Sequence, residues 1–251
     1  MNSTILIRAD DVGYSRAVNY GIADSVWNGI IRSVGVMPNM ENVQHGIDLL
    51  KGSNVCYGQH TNLCLGKPCA DPNKIRSLLD ENGNLKSSKM YREAWKNHTE
   101  FTVFEEVVIE VEAQYHRYTE LMGEKPHYFE AHAVMSNHLT RALEVVAQKY
   151  NLPLLTMNEK RQAVFKNTTM QVSMDSMEPN YNPFESLKRA IQQNDCITMF
   201  VCHPGYIDDF LLSSSSLVKP RIQEVAMLTA PETKQWLTSN HVNVVSYDEL
   251  T

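Results

Sequence analysis

Apolar positions along this chain recur in two alternating rhythms. Residues 4–9 (TILIRA) form a short apolar run, β-branched at its start, that ends at the acidic pair Asp10–Asp11. A run of that kind, closed by polar turn residues, predicts a buried strand. After a turn containing Gly13 and Ser15, the residues Val18, Ile22, Val26 and Ile30 fall at helical spacing, with Ser15 placed as an N-cap. The beat then repeats. Strands are predicted over 33–37, 55–60, 128–131, 152–156, 196–202 and 242–246, and helices over 41–50, 103–122, 139–150, 184–193, 220–228 and 232–237. Residues 61–84 read as a long polar loop and 157–183 as irregular.

Strand and helix alternation of this kind predicts a parallel sheet with crossover helices. The expected fold class is α/β, an irregular, TIM-barrel-like (β/α) barrel of about seven or eight mostly parallel strands. An open doubly wound sheet is the other arrangement the pattern allows. No linker, low-complexity stretch or internal repeat interrupts the pattern, so a single domain over 1–251 is expected. Neither the GxGxxG nor the GxxxxGK[ST] loop is present, so nucleotide binding has no support.

Composition narrows the partners. A chain of 251 residues with 43% hydrophobic and 21% charged positions can bury one large core. The net charge of −6 lacks the basic footprint of a nucleic-acid binder. Five cysteines without a CxxC pair read as reduced thiols of a cytoplasmic protein. No signal-peptide pattern opens the chain, and no run approaches the roughly 20 apolar residues of a membrane span, so no membrane partner is expected.

In parallel α/β folds chemistry gathers at the C-terminal ends of the strands. Here those ends carry Asp10 and Asp11, then His60 in GQHTNL, then Glu130 and His132 in HYFEAHAV, then His203 in VCHPGY. Two adjacent carboxylates repel each other. A divalent cation resolves the repulsion: one carboxylate coordinates the ion while its neighbour accepts a proton from water. Strict alternation would point Asp10 and Asp11 to opposite faces, whereas a turn at the strand end lets both reach the barrel mouth. Two histidines and one carboxylate suit a catalytic divalent ion with open positions. Taken singly, each residue also has a structural reading: a turn or cap aspartate, a satisfied histidine, a Pro-Gly turn after His203. The recurrence at successive strand ends favours a site. His127, before the fourth strand, is a weaker candidate than His132. The run Ser213–Ser216 suggests a flexible loop near the mouth, a lid candidate.

These residues carry a resemblance. ADDVGYS followed by VNYGI resembles the DDfG-x-S turn and V-N-x-G-I helix that open the YdjC-like carbohydrate deacetylases. IIRSVGVMPNM, GQHTNL and CHPGY resemble that family's later segments, in the same order, from residue 5 to about residue 206. The fourth segment departs: where the family usually has H-x-D-x-H followed by more histidines, this chain has Tyr128, Glu130 and His132, then Ala133 and Val134. The resemblance implies an irregular (β/α) barrel that removes an acetyl group from an N-acetylated amino sugar. It implies one divalent metal ion, usually written as magnesium, held by Asp11, His60 and His132; the imidazoles make zinc or another transition metal reasonable too. Asp10 is then the expected general base and His203 the expected general acid. Tyr14, Asn62, Glu130 and Arg221 are the expected substrate-binding residues, although Arg221 equally fits a solvated helix charge. A small-molecule sugar is the expected partner, and a homodimer is compatible with an exposed helical layer. Two other readings stay open: a different metal-dependent hydrolase acting on a phosphoester or cyclic amide, and a catalytically altered sugar-binding relative.

Overall fold

The computed structural model describes residues 3–192 and 196–251. Its elements run β1 (Thr4–Val12), α1 (Arg16–Trp27), β2 (Ser33–Val36), α2 (Val43–Leu50), β3 (Cys56–Thr61), α3 (Ser88–Lys96), α4 (Phe104–Met122), β4 (Tyr128–Ala131), α5 (Asn137–Tyr150), β5 (Leu155–Met157), β6 (Ala163–Phe165), β7 (Thr168–Ser173), α6 (Pro183–Gln192), β8 (Thr198–Cys202), α7 (Asp209–Ser214), α8 (Lys219–Thr229), α9 (Pro231–Ser239) and β9 (Asn243–Val245). Neighbouring strands follow the order β4-β3-β2-β1-β8-β7-β6-β5. A parallel bridge between Phe129 and Leu154 brings the two ends of this path together. Its Phe129 N–H donates to Pro153 O at 3.0 Å. The sheet is therefore a nearly closed, mostly parallel barrel. One flank of β1 is shared: β9 pairs with Thr4–Leu6 and β2 with Arg8 and beyond.

Alternation along β1 sorts the core. Ile5, Ile7 and Ala9 face outward and pack with Val18 and Ile22 of α1, whereas Leu6 packs inside with Tyr128, Phe165, Met199 and Tyr247. A further cluster lies under α4 and α5, where Val107, Val111, Leu139 and Leu143 meet Phe129. Ser15 caps α1 as expected, accepting from Val18 N–H at 3.2 Å.

Several elements differ from the sequence reading. The irregular stretch after β5 holds β6 and β7, joined to β5 as antiparallel ribbons. β5 and β6 are only three residues long, too short to show a period. α3 and most of α7 lie in stretches to which the sequence reading gave no element. The serine run is also only partly a loop, since Ser213 and Ser214 close α7. β1 continues past residue 9 to Val12. The helix predicted over 184–193 is α6, and Gln193 lies outside the described residues.

Helix α1 touches the chain that follows β8. A Cβ built on Gly21 would stand 2.5 Å from Gly205 Cα, a backbone contact that cannot yield locally. Gly21→Ala is expected to cost about 1–3 kcal/mol, the usual range for overpacking. Urea unfolding measures it, and a change below about 0.5 kcal/mol, the range of an ordinary surface substitution, would remove the contact from the account.

Candidate active site

The end of β1 leaves regular geometry at the acidic pair. Its register against β2 slips between Ala9 and Val12, and Asp11 adopts φ of 80°. Positive φ is uncommon outside glycine, and aspartate is among the residues that tolerate it. Gly13 follows at φ of 106°, and the turn closes with Tyr14 N–H donating to Asp11 O at 3.0 Å. The bulge cancels the alternation, and both carboxylates reach the same end of the barrel.

Each carboxylate is buried against its own arginine. Arg8 Nη2 lies 2.6 Å from Asp10 Oδ2, and Arg221 Nη2 lies 2.7 Å from Asp11 Oδ2. Arg221 is 2% exposed, so the solvated-helix reading of this residue is corrected. The other oxygen of each pair, Asp10 Oδ1 and Asp11 Oδ1, is buried without a hydrogen bond. Asp11 Oδ1 faces His60 Nε2 at 3.6 Å and His132 Nδ1 at 3.2 Å, and those two nitrogens stand 3.0 Å apart.

This trio fits a metal ion. Donors held about 2.0–2.2 Å from one ion stand roughly 3–3.6 Å from each other. The orphaned Asp11 oxygen supplies the negative donor such an ion needs. His60 Nδ1 meets Glu130 Oε1 at 2.5 Å, which fixes the ring and leaves Nε2 for the cluster. Asp10, His60 and Glu130 also approach one another. That second set already holds a cation, because Arg8 Nη2 lies 2.5 Å from Glu130 Oε1 as well as against Asp10.

The same contacts set the protonation of the metal-free site. Burial disfavours a charged His60, but Asp10 and Glu130 outweigh it and raise the ring to about 10. For His132, burial is outweighed by the Asp11 carboxylate beside it and by Cys64, and the ring rises to about 9. Arg221 overcomes burial at Asp11 and holds that carboxyl well below its ordinary range. Arg8 does the same for Asp10, which is lowered. Burial dominates at His203 and pulls it down to about 4.

The imidazole pair therefore holds an extra proton at pH 7 without metal, and one only, because His60 Nε2 and His132 Nδ1 stand 3.0 Å apart and cannot both carry one. Because the folded values lie above the ordinary 6.5, the pair stabilises the metal-free fold below that pH and loses this contribution as pH rises through about 9 to 10. An ion must displace that proton. Metal binding is thus expected to release about one proton per ion near pH 7 and to tighten by about tenfold per pH unit. Calorimetry in buffers of differing ionisation enthalpy reads the proton count, and a count of zero would contradict this protonation pattern.

The structure brings Asp10, Asp11, His60, Glu130 and His132 together, with Arg221 against Asp11. His203 follows β8 at the same mouth, and its backbone oxygen accepts from Arg221 Nη1 at 3.3 Å. One expected sugar contact is turned elsewhere. The Asn62 amide is fully buried and committed: Nδ2 donates to Asn39 Oδ1 and Leu65 O, and Oδ1 accepts from Cys64 N–H. Glu130 is buried, and its Oε1 faces Arg8 and His60. Tyr14 is also buried, its hydroxyl 3.1 Å from Ser214 Oγ and its ring 5.1 Å from the Arg221 guanidinium. His127 lies at the opposite end of the barrel.

Arg8 and Glu224 went unread in the sequence. Glu224 accepts from His203 N–H at 2.6 Å and from Tyr181 OH at 2.9 Å, and burial raises its carboxyl to about 7. The available signal was a charge inside an otherwise apolar strand for Arg8; Glu224 sits on α8 with no comparable cue.

The family pattern described as YdjC-like protein matches residues 4–239. Carbohydrate deacetylase 2 of Listeria innocua serovar 6a is 31% identical, with 98% of each chain covered. The chitooligosaccharide deacetylase of Escherichia fergusonii is 25% identical over 98% of this chain and 99% of its own. A crystal structure of a proposed cellobiose-phosphate cleavage protein from Enterococcus faecalis V583 shares the fold at a TM-score of 0.82 and 24% identity, with 100% of both chains covered.

Proposed function

Because the chain belongs to the YdjC-like family, we propose that it is a metal-dependent carbohydrate deacetylase, removing the acetyl group from an N-acetylated amino sugar or oligosaccharide. The observation that carries this reading is the trio Asp11, His60 and His132 beside Asp10, whose Oδ1 is buried and unpartnered. A divalent cation held by that trio would act as a Lewis acid on the amide carbonyl and acidify water. The family resemblance points to magnesium, whereas two imidazole donors favour zinc or another late transition ion such as cobalt.

The remaining steps belong to the chain's own groups. Arg8 holds Asp10 ionised, and Asp10 takes the proton of the attacking water through its free oxygen. Arg221 fixes Asp11 so that only Oδ1 faces the histidines, and Glu130 fixes His60. The leaving amine needs a proton. His203 is neutral in the resting protein, so the general-acid role expected from sequence becomes a relay role: it delivers a proton only after receiving one as the reaction proceeds. Glu224 holds the backbone at His203 in place. The free state of all five cysteines supports a reducing, cytoplasmic setting. Among the described residues, no helix is long and apolar enough to cross a membrane.

The test is acetate release from a series of N-acetylglucosamine oligomers by the metal-loaded protein, with phosphate release from sugar phosphates measured in parallel. Metal-dependent acetate release supports the reading. Phosphate release without acetate release would replace it with the phosphoester reading.

A further inference from the structure

The far end of the barrel carries a second cluster of ligating side chains. Cys56 opens β3, His127 immediately precedes β4, and Asp248 lies in the helical turn Tyr247–Glu249 after β9. His127 N–H donates to Tyr57 O at 2.9 Å, which holds the first two segments in register. A thiol sulfur, an imidazole nitrogen and a carboxylate oxygen from these residues all lie within 4.8 Å of one another. His127 Nδ1 is 2.7 Å from Asp248 Oδ1, and its Nε2 faces Glu124 Oε2 at 3.9 Å. Cys56 and His60 are four positions apart on β3, about 13 Å at strand rise, so this cluster is separate from the candidate active site.

We propose that Cys56, His127 and Asp248 form a second metal site, taking a borderline-soft divalent transition ion such as zinc or cobalt. Thiolate and imidazole donors select those ions over magnesium and calcium. Cys56 is buried and supplies the sulfur from within, while His127 and Asp248 are partly exposed and leave a path for the ion and a fourth position for solvent. Glu124 adds a negative charge on the Nε2 side of the His127 ring, 3.9 Å away. Binding exchanges the thiol proton, which leaves to solvent, for the ion. Burial and the neighbouring Asp248 raise the thiol above its ordinary value, so loading strengthens as pH rises. The three ligands come from β3, the β4 entry and the last turn of the chain, so an ion here pins the C-terminal segment to the barrel floor.

Cobalt(II) alone, titrated into the full chain, is the probe. A thiolate ligand produces a near-ultraviolet charge-transfer band that nitrogen and oxygen ligands do not. The parent should develop this band, Cys56→Ser should lose it, and Cys64→Ser should keep it, although Cys64 hydrogen-bonds His132 in the other cluster. His127→Ala, at a side chain 37% exposed, should weaken this binding at least tenfold as read from the band, and should reduce the cobalt-dependent rise in melting temperature to the part that the mouth site supplies. That variant carries the test even if Cys56→Ser fails to fold. No band in the parent, a band lost in Cys64→Ser, or parent-like binding by His127→Ala would overturn the site and leave a hydrogen-bonded cluster. None of these outcomes depends on deacetylase activity.

Discussion

Asp10→Asn should lower turnover by about 100- to 10,000-fold, the usual contribution of a positioned general base, with metal content unchanged. The amide can still accept from Arg8 in place of Oδ2, so the local fold survives. It has no basic oxygen to take the proton of water at the position of the orphaned Oδ1. Asp11, on the other side of the bulge, keeps its arginine and faces the histidines as before. Steady-state acetate release and bound-metal analysis on the same preparation check the split. Activity within tenfold of the parent would move the base elsewhere.

Arg8→Met should destabilise the metal-free protein by about 3–5 kcal/mol, because it leaves carboxylates buried without their cation. Asp10 and Glu130 both lose their partner, and Tyr247 OH loses a donor 3.0 Å away. Methionine roughly matches the stem, so packing alone does not account for a loss of this size. Arg32 provides the contrast: its pair with Glu249 at 2.9 Å is exposed, and such pairs contribute about 0–1 kcal/mol. Urea midpoints of Arg8→Met and Glu249→Gln, which removes the charge of the exposed pair, should therefore differ widely. Similar midpoints would mean that Asp10 and Glu130 shed their charges without Arg8.

Sequence pattern carried the alternation of strands and helices and the ends of strands where polar residues gather. β1, β2, β3 and β4 were legible because each is a short apolar run flanked by turn chemistry. The β5–β6–β7 ribbon was not, since β5 and β6 have three residues each, too few to show a period, and the six of β7 (TTMQVS) are mostly polar. The acidic pair illustrates a deeper limit. ADDVG shows two carboxylates before a glycine, but whether both face the mouth depends on φ of 80° at Asp11, a backbone choice that periodicity does not encode. Arg221 and Glu130 lay far from their partners along the chain, so only the folded geometry turns them inward to Asp11 and His60. Asn62 erred the other way: it neighbours His60 in sequence, yet its amide is spent on bracing the loop.

Metal uptake by the full chain and by His60→Ala and His132→Ala bears most directly on the central claim. The parent should bind an ion at the barrel mouth, and each substitution should lower that affinity by well over tenfold while leaving the Cys56 cobalt band in place. If both histidine variants take up that ion as tightly as the parent, Asp11, His60 and His132 do not share it, and the proposed active site is wrong.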